Sequence, residues 1–213
     1  PAMFIAFSSI ADVDFQEYFK DRTMRLDYYH TGNATEEHFA LDRMVNDGIW
    51  AGSTTQLVDQ LRLGKYFFEI QDPASGEVLY SRGYSSIYGE WETTPEAKQE
   101  WGVFHESLRF PWPKKEVKLV IYKRNKQQAF EPVWEYMVDP QYRKANPAPL
   151  KTPYQVYEVE ENGRPEEKVD IVLLSEGYTR EEMDEFRADA DKFADALFST
   201  EPFASRREDF NIR

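Results

Sequence analysis

Residues 168–198 read KVDIVLLSEGYTREEMDEFRADADKFADALF, and the fold is decided there. Val169, Ile171, Val172, Leu173 and Leu174 form a short, nearly unbroken apolar run, as expected of a strand buried on both faces of a parallel sheet. Ser175-Glu176-Gly177-Tyr178 breaks the run. Thr179 and Glu182 have capping-box spacing, with Tyr178 and Met183 at the hydrophobic-staple positions. Met183, Phe186, Ala190, Phe193, Ala194 and Leu197 then recur at three- and four-residue steps, which predicts one apolar face of a helix ended near Pro202. A parallel partner strand is expected after such a helix, and Phe210-Asn211-Ile212 fits it. The large apolar side chains of the helix, roughly 2 kcal/mol each on full burial, exceed what one strand covers. The expectation is that this unit begins a larger α/β domain.

Working back toward the N-terminus, Asn146 to Pro153 carries prolines at 147, 149 and 153 and is expected to run extended and unpaired, as a linker does. Tyr154 to Glu167, with its Asn162-Gly163 turn signal, predicts a short hairpin. Residues 1–145 are expected to form one domain, 146–168 the linker and hairpin, and 169–213 the start of the second, incomplete domain. Within the first, Thr23–His30 reads as a strand with Met24, Leu26 and Tyr28 on one side. Lys65–Gln71 and Glu77–Arg82 read as a hairpin across Asp72-Pro73-Ala74-Ser75-Gly76. Val117–Lys123 and Phe130–Val138 read as an antiparallel pair. So many short strands predict an antiparallel β-sandwich of immunoglobulin-like type, giving α+β overall, with a barrel as the alternative.

Composition narrows the function. Of 213 residues, 39 are Asp or Glu against 26 Lys or Arg, and the net charge of −13 disfavours nucleic acid or an anionic membrane surface as a partner. No apolar run approaches the roughly 20 residues of a membrane-spanning helix. The absence of cysteine excludes disulfides, thiolate catalysis and cysteine metal ligands. Met3 to Ala11 ends in small residues like the tail of a signal peptide, but lacks its charged start; the other reading is a first strand.

Few residues suggest chemistry. His30, His38 and His105 show no close pairing of the kind that puts two imidazoles on one metal, and are expected to be partly exposed or hydrogen-bonded strand residues. Ser175 follows a strand and precedes a helix like a nucleophile elbow, but Leu174 stands where the elbow needs glycine. No histidine follows it, so a serine triad would need residues from elsewhere. Glu176 stands at the carboxyl end of the strand, where α/β sheets place ligand contacts; the alternative is a carboxylate bonded to turn amides. Ser175, Glu176, Gly177 and Tyr178 are the candidate cleft residues; this stretch offers no catalytic or metal residue. Trp50, Trp91, Trp101, Trp112 and Trp134 are candidates for core, or for stacking platforms if several share one exposed sheet face. Glu181, Glu182, Asp184 and Glu185 form a solvated face favoured by the helix N-terminus, without calcium-loop spacing.

Three stretches carry a resemblance: Tyr80-Ser81-Arg82-Gly83-Tyr84-Ser85-Ser86-Ile87-Tyr88-Gly89-Glu90-Trp91 with Thr93 to Ala97, then Phe104 to Pro113, then Ile171 to Tyr178. Together they resemble the IgA-peptidase-like zinc metallopeptidases, family 64 of the metallopeptidases, known from gut bacteria of Bacteroides type. The first two are similar to that family's N-terminal β-sandwich domain, the third to the first strand and turn of its catalytic domain. The resemblance implies a secreted or periplasmic zinc endopeptidase acting on protein or peptide, with zinc held by a His-Glu-x-x-His helix. His105-Glu106 is followed by Ser107-Leu108-Arg109, so this chain lacks that motif. The expectation is an accessory domain plus the first strand-helix unit of a catalytic domain, inactive alone, with no zinc ligand in these residues. A non-catalytic protein- or carbohydrate-binding module is the alternative.

Overall fold

The computed structural model describes residues 13–151 and 154–213. The signal-like stretch Met3–Ala11 lies outside the described residues. In chain order the elements are α1 (Phe15–Tyr18), β1 (Phe19–Gly32), β2 (Glu37–Asn46), β3 (Tyr66–Gln71), β4 (Val78–Tyr84), α2 (Ile87–Trp91), β5 (Gly102–Pro113), β6 (Val117–Arg124), β7 (Phe130–Val138), β8 (Ala145–Pro149), β9 (Val169–Ile171), α3 (Met183–Leu197) and β10 (Phe210–Ile212). They fall into two compact units: Thr54–Leu150 with the residues up to Ile49, and Lys151–Arg213 with Trp50–Ser53.

The first unit is two four-stranded sheets, ordered β5-β1-β2-β8 and β4-β3-β6-β7. All their pairings are antiparallel except β2–β8. The period of two explains the core: Met24, Leu26, Tyr28 and His30 of β1 are fully buried on one face, while Arg25 and Tyr29 point the other way. Phe68, Ile70, Phe110, Leu119 and Ile121 complete the interior, where the Phe68 ring of one sheet meets Phe110 of the other at 6.4 Å.

The β3–β4 loop shows how local chemistry fixes register. The Asp72 carboxylate accepts the amides of Ala74 at 3.0 Å and Ser75 at 2.8 Å, and Gly76, at φ +74°, takes the left-handed conformation that closes the turn. This hairpin and the β6–β7 pair match the sequence reading. The proline-rich segment does not: it is extended but paired, with Ala145 and Asn146 running parallel to Met44 and Val45. Pro147 and Pro149 are tolerated because β8 is an edge strand that needs few amide donors. The Asn46 side chain donates to the Pro147 carbonyl at 2.9 Å and fixes the segment.

In the second unit β9 and β10 pair in parallel, with Ile212 opposite Ile171, and α3 lies between them in the chain as the spacing predicts. The Arg213 amide donates to the Ile171 carbonyl and the Leu173 amide to the Arg213 carbonyl, at 3.0 and 2.7 Å. The Thr179–Glu182 capping box is present, but it closes a 3₁₀ turn over Arg180–Glu182, and the α-helix starts at Met183. Ala190, Ala194, Phe198 and Ile212 are buried, with Ile171, Leu173 and Leu197 packed against the cluster. Phe193, expected on the buried face, is 46% exposed.

The hairpin expected at Asn162-Gly163 is absent, because those amides are taken by a buried side chain. Asn211 accepts from Asn162 N at 2.8 Å and Gly163 N at 3.2 Å, and its amide donates to the Gly163 carbonyl and to Asp170, both at 3.0 Å. A fully buried asparagine with all its capacity used replaces strand pairing. Among the described residues of this stretch, Glu160 forms an antiparallel bridge to Ile212.

Candidate functional site

Where β9 ends, the second unit opens into a groove of about 500 Å³. One wall is α3 through Met183, Phe186 and Ala190; the other is the segment Tyr154–Tyr157, with Val172 and Leu174 on the floor. Leu174 is 80% exposed, Tyr154 79% and Val172 66%, so the run expected to be buried on both faces is open here. The physical reason is pairing: β9 has β10 along one edge, and among the described residues no strand lies along the other.

Of the candidate cleft residues, Ser175 and Glu176 line this groove. Gly177 sits in the turn at φ +88°, and Tyr178 donates its hydroxyl to Asp189 at 2.9 Å while packing edge-on against Phe186. Glu176 is exposed, and its carboxylate accepts no hydrogen bond among the described residues, so the turn-amide reading fails. Residues 151–213 contain no histidine that could serve Ser175 as a base. The arrangement provides a mostly apolar surface, to which Arg187 and Arg213 add two guanidiniums and Ser175 and Glu176 a hydroxyl and a carboxylate.

The histidines all lie in the first unit, and the strand period separates them. His105 faces outward, 3.2 Å from Asp42, whereas Glu106, next along β5, faces inward to His30. Asp27, Asp42 and His105 are a group whose ligand atoms come together. They do not fit zinc: Asp27 accepts from Arg25 at 2.8 Å and from Arg43 at 2.9 Å, and two guanidiniums occupy the place of a cation. The tryptophans divide. Trp50 and Trp112 are buried, Trp91 and Trp134 half-buried, and Trp101 is 54% exposed and stacked on His38, their rings 9° from parallel.

Inside the first unit lies a feature that the sequence reading missed. His30 is fully buried, its ring stacked between Phe39 at 4.1 Å and Tyr88 at 3.9 Å. Its Nδ1 is 3.1 Å from Glu106 Oε2 and its Nε2 3.0 Å from Glu37 Oε2. Tyr28 donates to Glu106 at 2.9 Å and Tyr66 to Glu37 at 2.8 Å. Lys123 joins Glu37 at 2.9 Å to Glu92 at 2.8 Å, and Lys65 also pairs with Glu92. Burial alone would push both carboxyls up, but the hydrogen bonds from His30 and Lys123 outweigh it and bring Glu37 down to about 2; His30, Ser86 and Tyr28 likewise lower Glu106. Burial works against a charge on His30 as well, yet the bonds to Glu106 and Glu37 raise its pKa above the ordinary value. The lone strand histidine and the scattered glutamates gave no periodic signal, since the cluster draws on β1, β2, β3, α2, β5 and β6 at once.

Comparison with known protein families places these two units. The model of the Peptidase M64 N-terminus matches residues 14–135, and that of the IgA Peptidase M64 matches residues 157–213. The chain belongs to the M64 peptidase family. No curated protein matches it. M64 is a family of metallopeptidases, which implies protein or peptide substrates, and no described helix is long and apolar enough to cross a membrane. The stretches that carried the resemblance now have a physical role in this M64 chain: Tyr84, Ser86 and Tyr88 come from the first and Glu106 from the second, and all four contribute to the cluster around His30.

Proposed function

We propose that this chain is the N-terminal, non-catalytic part of a secreted or periplasmic zinc metallopeptidase. In this reading the first unit is an immunoglobulin-like accessory domain and residues from 169 onward begin the catalytic domain. The observation that carries it is the order of the two family matches, N-terminal domain first and peptidase second, along a chain without a His-Glu-x-x-His motif. Two antiparallel sheets facing one another support the accessory-domain reading, and the parallel β9-α3-β10 unit supports the second. In this reading zinc, held by residues outside this stretch of sequence, would activate water against a peptide carbonyl. The open groove beside β9 is then a surface for the remainder of the catalytic domain, which would also be this chain's nearest partner.

The experiment is elemental analysis together with a peptide-cleavage assay on protein made from the complete reading frame, with the 213-residue chain as control. The expected result is one zinc per longer chain, cleavage by it, and neither in the control. A longer protein without zinc, or a frame that ends near Arg213, overturns the reading.

A further inference from the structure

A neutral imidazole has one N–H and one lone pair, so it can donate to one carboxylate only. His30 faces a carboxylate at each nitrogen, Glu106 on β5 and Glu37 on β2, at 3.1 and 3.0 Å. Only the imidazolium donates to both. The flat faces of Phe39 and Tyr88 above and below favour the same charged form.

Tyr88 turns this contact into a mechanical one. Its hydroxyl reaches the carbonyl oxygens of Asn33 at 2.7 Å and Glu36 at 2.9 Å, in the turn between β1 and β2. Its amide lies 3.3 Å from Glu106 Oε1, and Ser86 before it caps α2 through the Gly89 amide at 3.0 Å. We propose that His30 is a proton-operated latch: as an imidazolium bridging Glu37 and Glu106 it holds the Ser86–Trp91 segment against the Asn33–Glu37 turn, and loss of its proton releases them.

The groups around the ring decide the direction. Toward Glu106, Tyr28 and the Tyr88 amide donate, and Ser86 Oγ lies 3.5 Å from His30 Nδ1; none is a cation. Toward Glu37, Tyr66 of β3 and Lys123 of β6 donate. Beyond these, Tyr84 of β4 lies 3.4 Å from the Tyr28 hydroxyl, and Glu92 pairs with Lys123 and Lys65. Three carboxylates, Glu37, Glu92 and Glu106, thus face three cations, His30, Lys65 and Lys123, and the set is balanced only while His30 is charged.

When the proton leaves, the remaining N–H stays with Glu106, which has no other cation. The Nε2 lone pair then confronts Glu37 Oε2 at contact distance. Glu37 is the first residue of β2 and borders the turn that holds Tyr88, so the repulsion falls on the latch itself. Because the carboxylates raise the pKa of His30 in the folded protein, the stabilisation is complete below its ordinary value of 6.5 and is lost as pH rises through the folded value. The latch opens in alkali, not in acid.

The test follows the His30 imidazole by NMR in the 213-residue chain, with amide-exchange protection factors for residues 33–37 and 86–92 between pH 6 and 9. His30 is expected to titrate above 6.5, with protection in both segments falling together by about tenfold per pH unit up to its midpoint. Phe68 and Ile121, deep in the other sheet, should keep their protection. Glu106→Gln should move the midpoint down, and His30→Gln should abolish the pH dependence; if that variant does not fold, the wild-type titration still decides. A His30 midpoint at or below 6.5, protection that survives its titration, or a loss spread evenly over both sheets overturns the latch.

Discussion

In the first unit a histidine, a lysine and three carboxylates lie in or at the border of an interior that is ordinarily aliphatic, whereas in the second unit valine, leucine and tyrosine lie where water is. The interior groups are tolerable because each is paired: Glu37 takes bonds from His30, Tyr66 and Lys123, and buried charge without such partners is prohibitive. The exposed groups are tolerable because apolar surface costs little locally, but a contiguous patch of it is a docking surface by default. The first unit therefore satisfies its own side chains. The second leaves Val172 and Leu174 in water, to be covered by something else.

The severest way to break this comparison is to remove a cation from the closed cluster. Lys123→Met would leave Glu37 with His30 and Tyr66 and Glu92 with Lys65 alone, so the loss is expected near the lower end of the roughly 3–5 kcal/mol that breaking a buried pair costs. A urea titration followed by tryptophan fluorescence should register most of it; a loss under about 1 kcal/mol would mean that water already reaches the cluster. The acid limb of stability tests the same carboxylate. With Glu37 brought down to about 2 from 4.5, its contribution is present above the ordinary value and is lost as pH falls through the lower one. Wild-type protein should thus lose this contribution gradually below about pH 4.5 and not abruptly, and in Lys123→Met the acid transition should begin at higher pH.

In the second unit the closed counterpart is Asn211. Asn211→Leu keeps the branched heavy-atom skeleton but orphans the amides of Asn162 and Gly163 and removes the bond to Asp170. A loss of about 2–3 kcal/mol is expected, read as earlier loss of α3 helicity by circular dichroism in urea. An unchanged midpoint would show that water takes over the amides, and that this end of the unit is as open as the groove.

How much of this the sequence discloses depends on whether the signal is local. Asp72 and Gly76, Thr179 and Glu182, and the alternation of Met24, Leu26 and Tyr28 act over a few residues, and those elements stand where the pattern puts them. Strand β2 is masked because its face toward the interior starts with Glu37, a residue that reads as solvent-facing until His30 and Lys123 are seen beside it. The Asn162-Gly163 turn signal misleads because it cannot show that Asn211, 49 residues later, takes the Asn162 amide. Ser175 and Glu176 lie four and five residues beyond the last residue of β9, and what surrounds them is set in part by Tyr154–Tyr157, which has no periodicity to read.

The smallest effect is the sharpest test of the groove. Leu174→Ser removes an aliphatic side chain that is already in water, so its stability cost should stay within about 0.5 kcal/mol, while the equivalent change at buried Leu26 should cost several times more. Binding of a hydrophobic dye should fall with the substitution, because Leu174 supplies floor to the groove. A cost above about 1 kcal/mol at Leu174 would mean that the surface is covered in solution. The contrast between a self-satisfied unit and an open one would then reduce to two closed cores, one polar and one apolar.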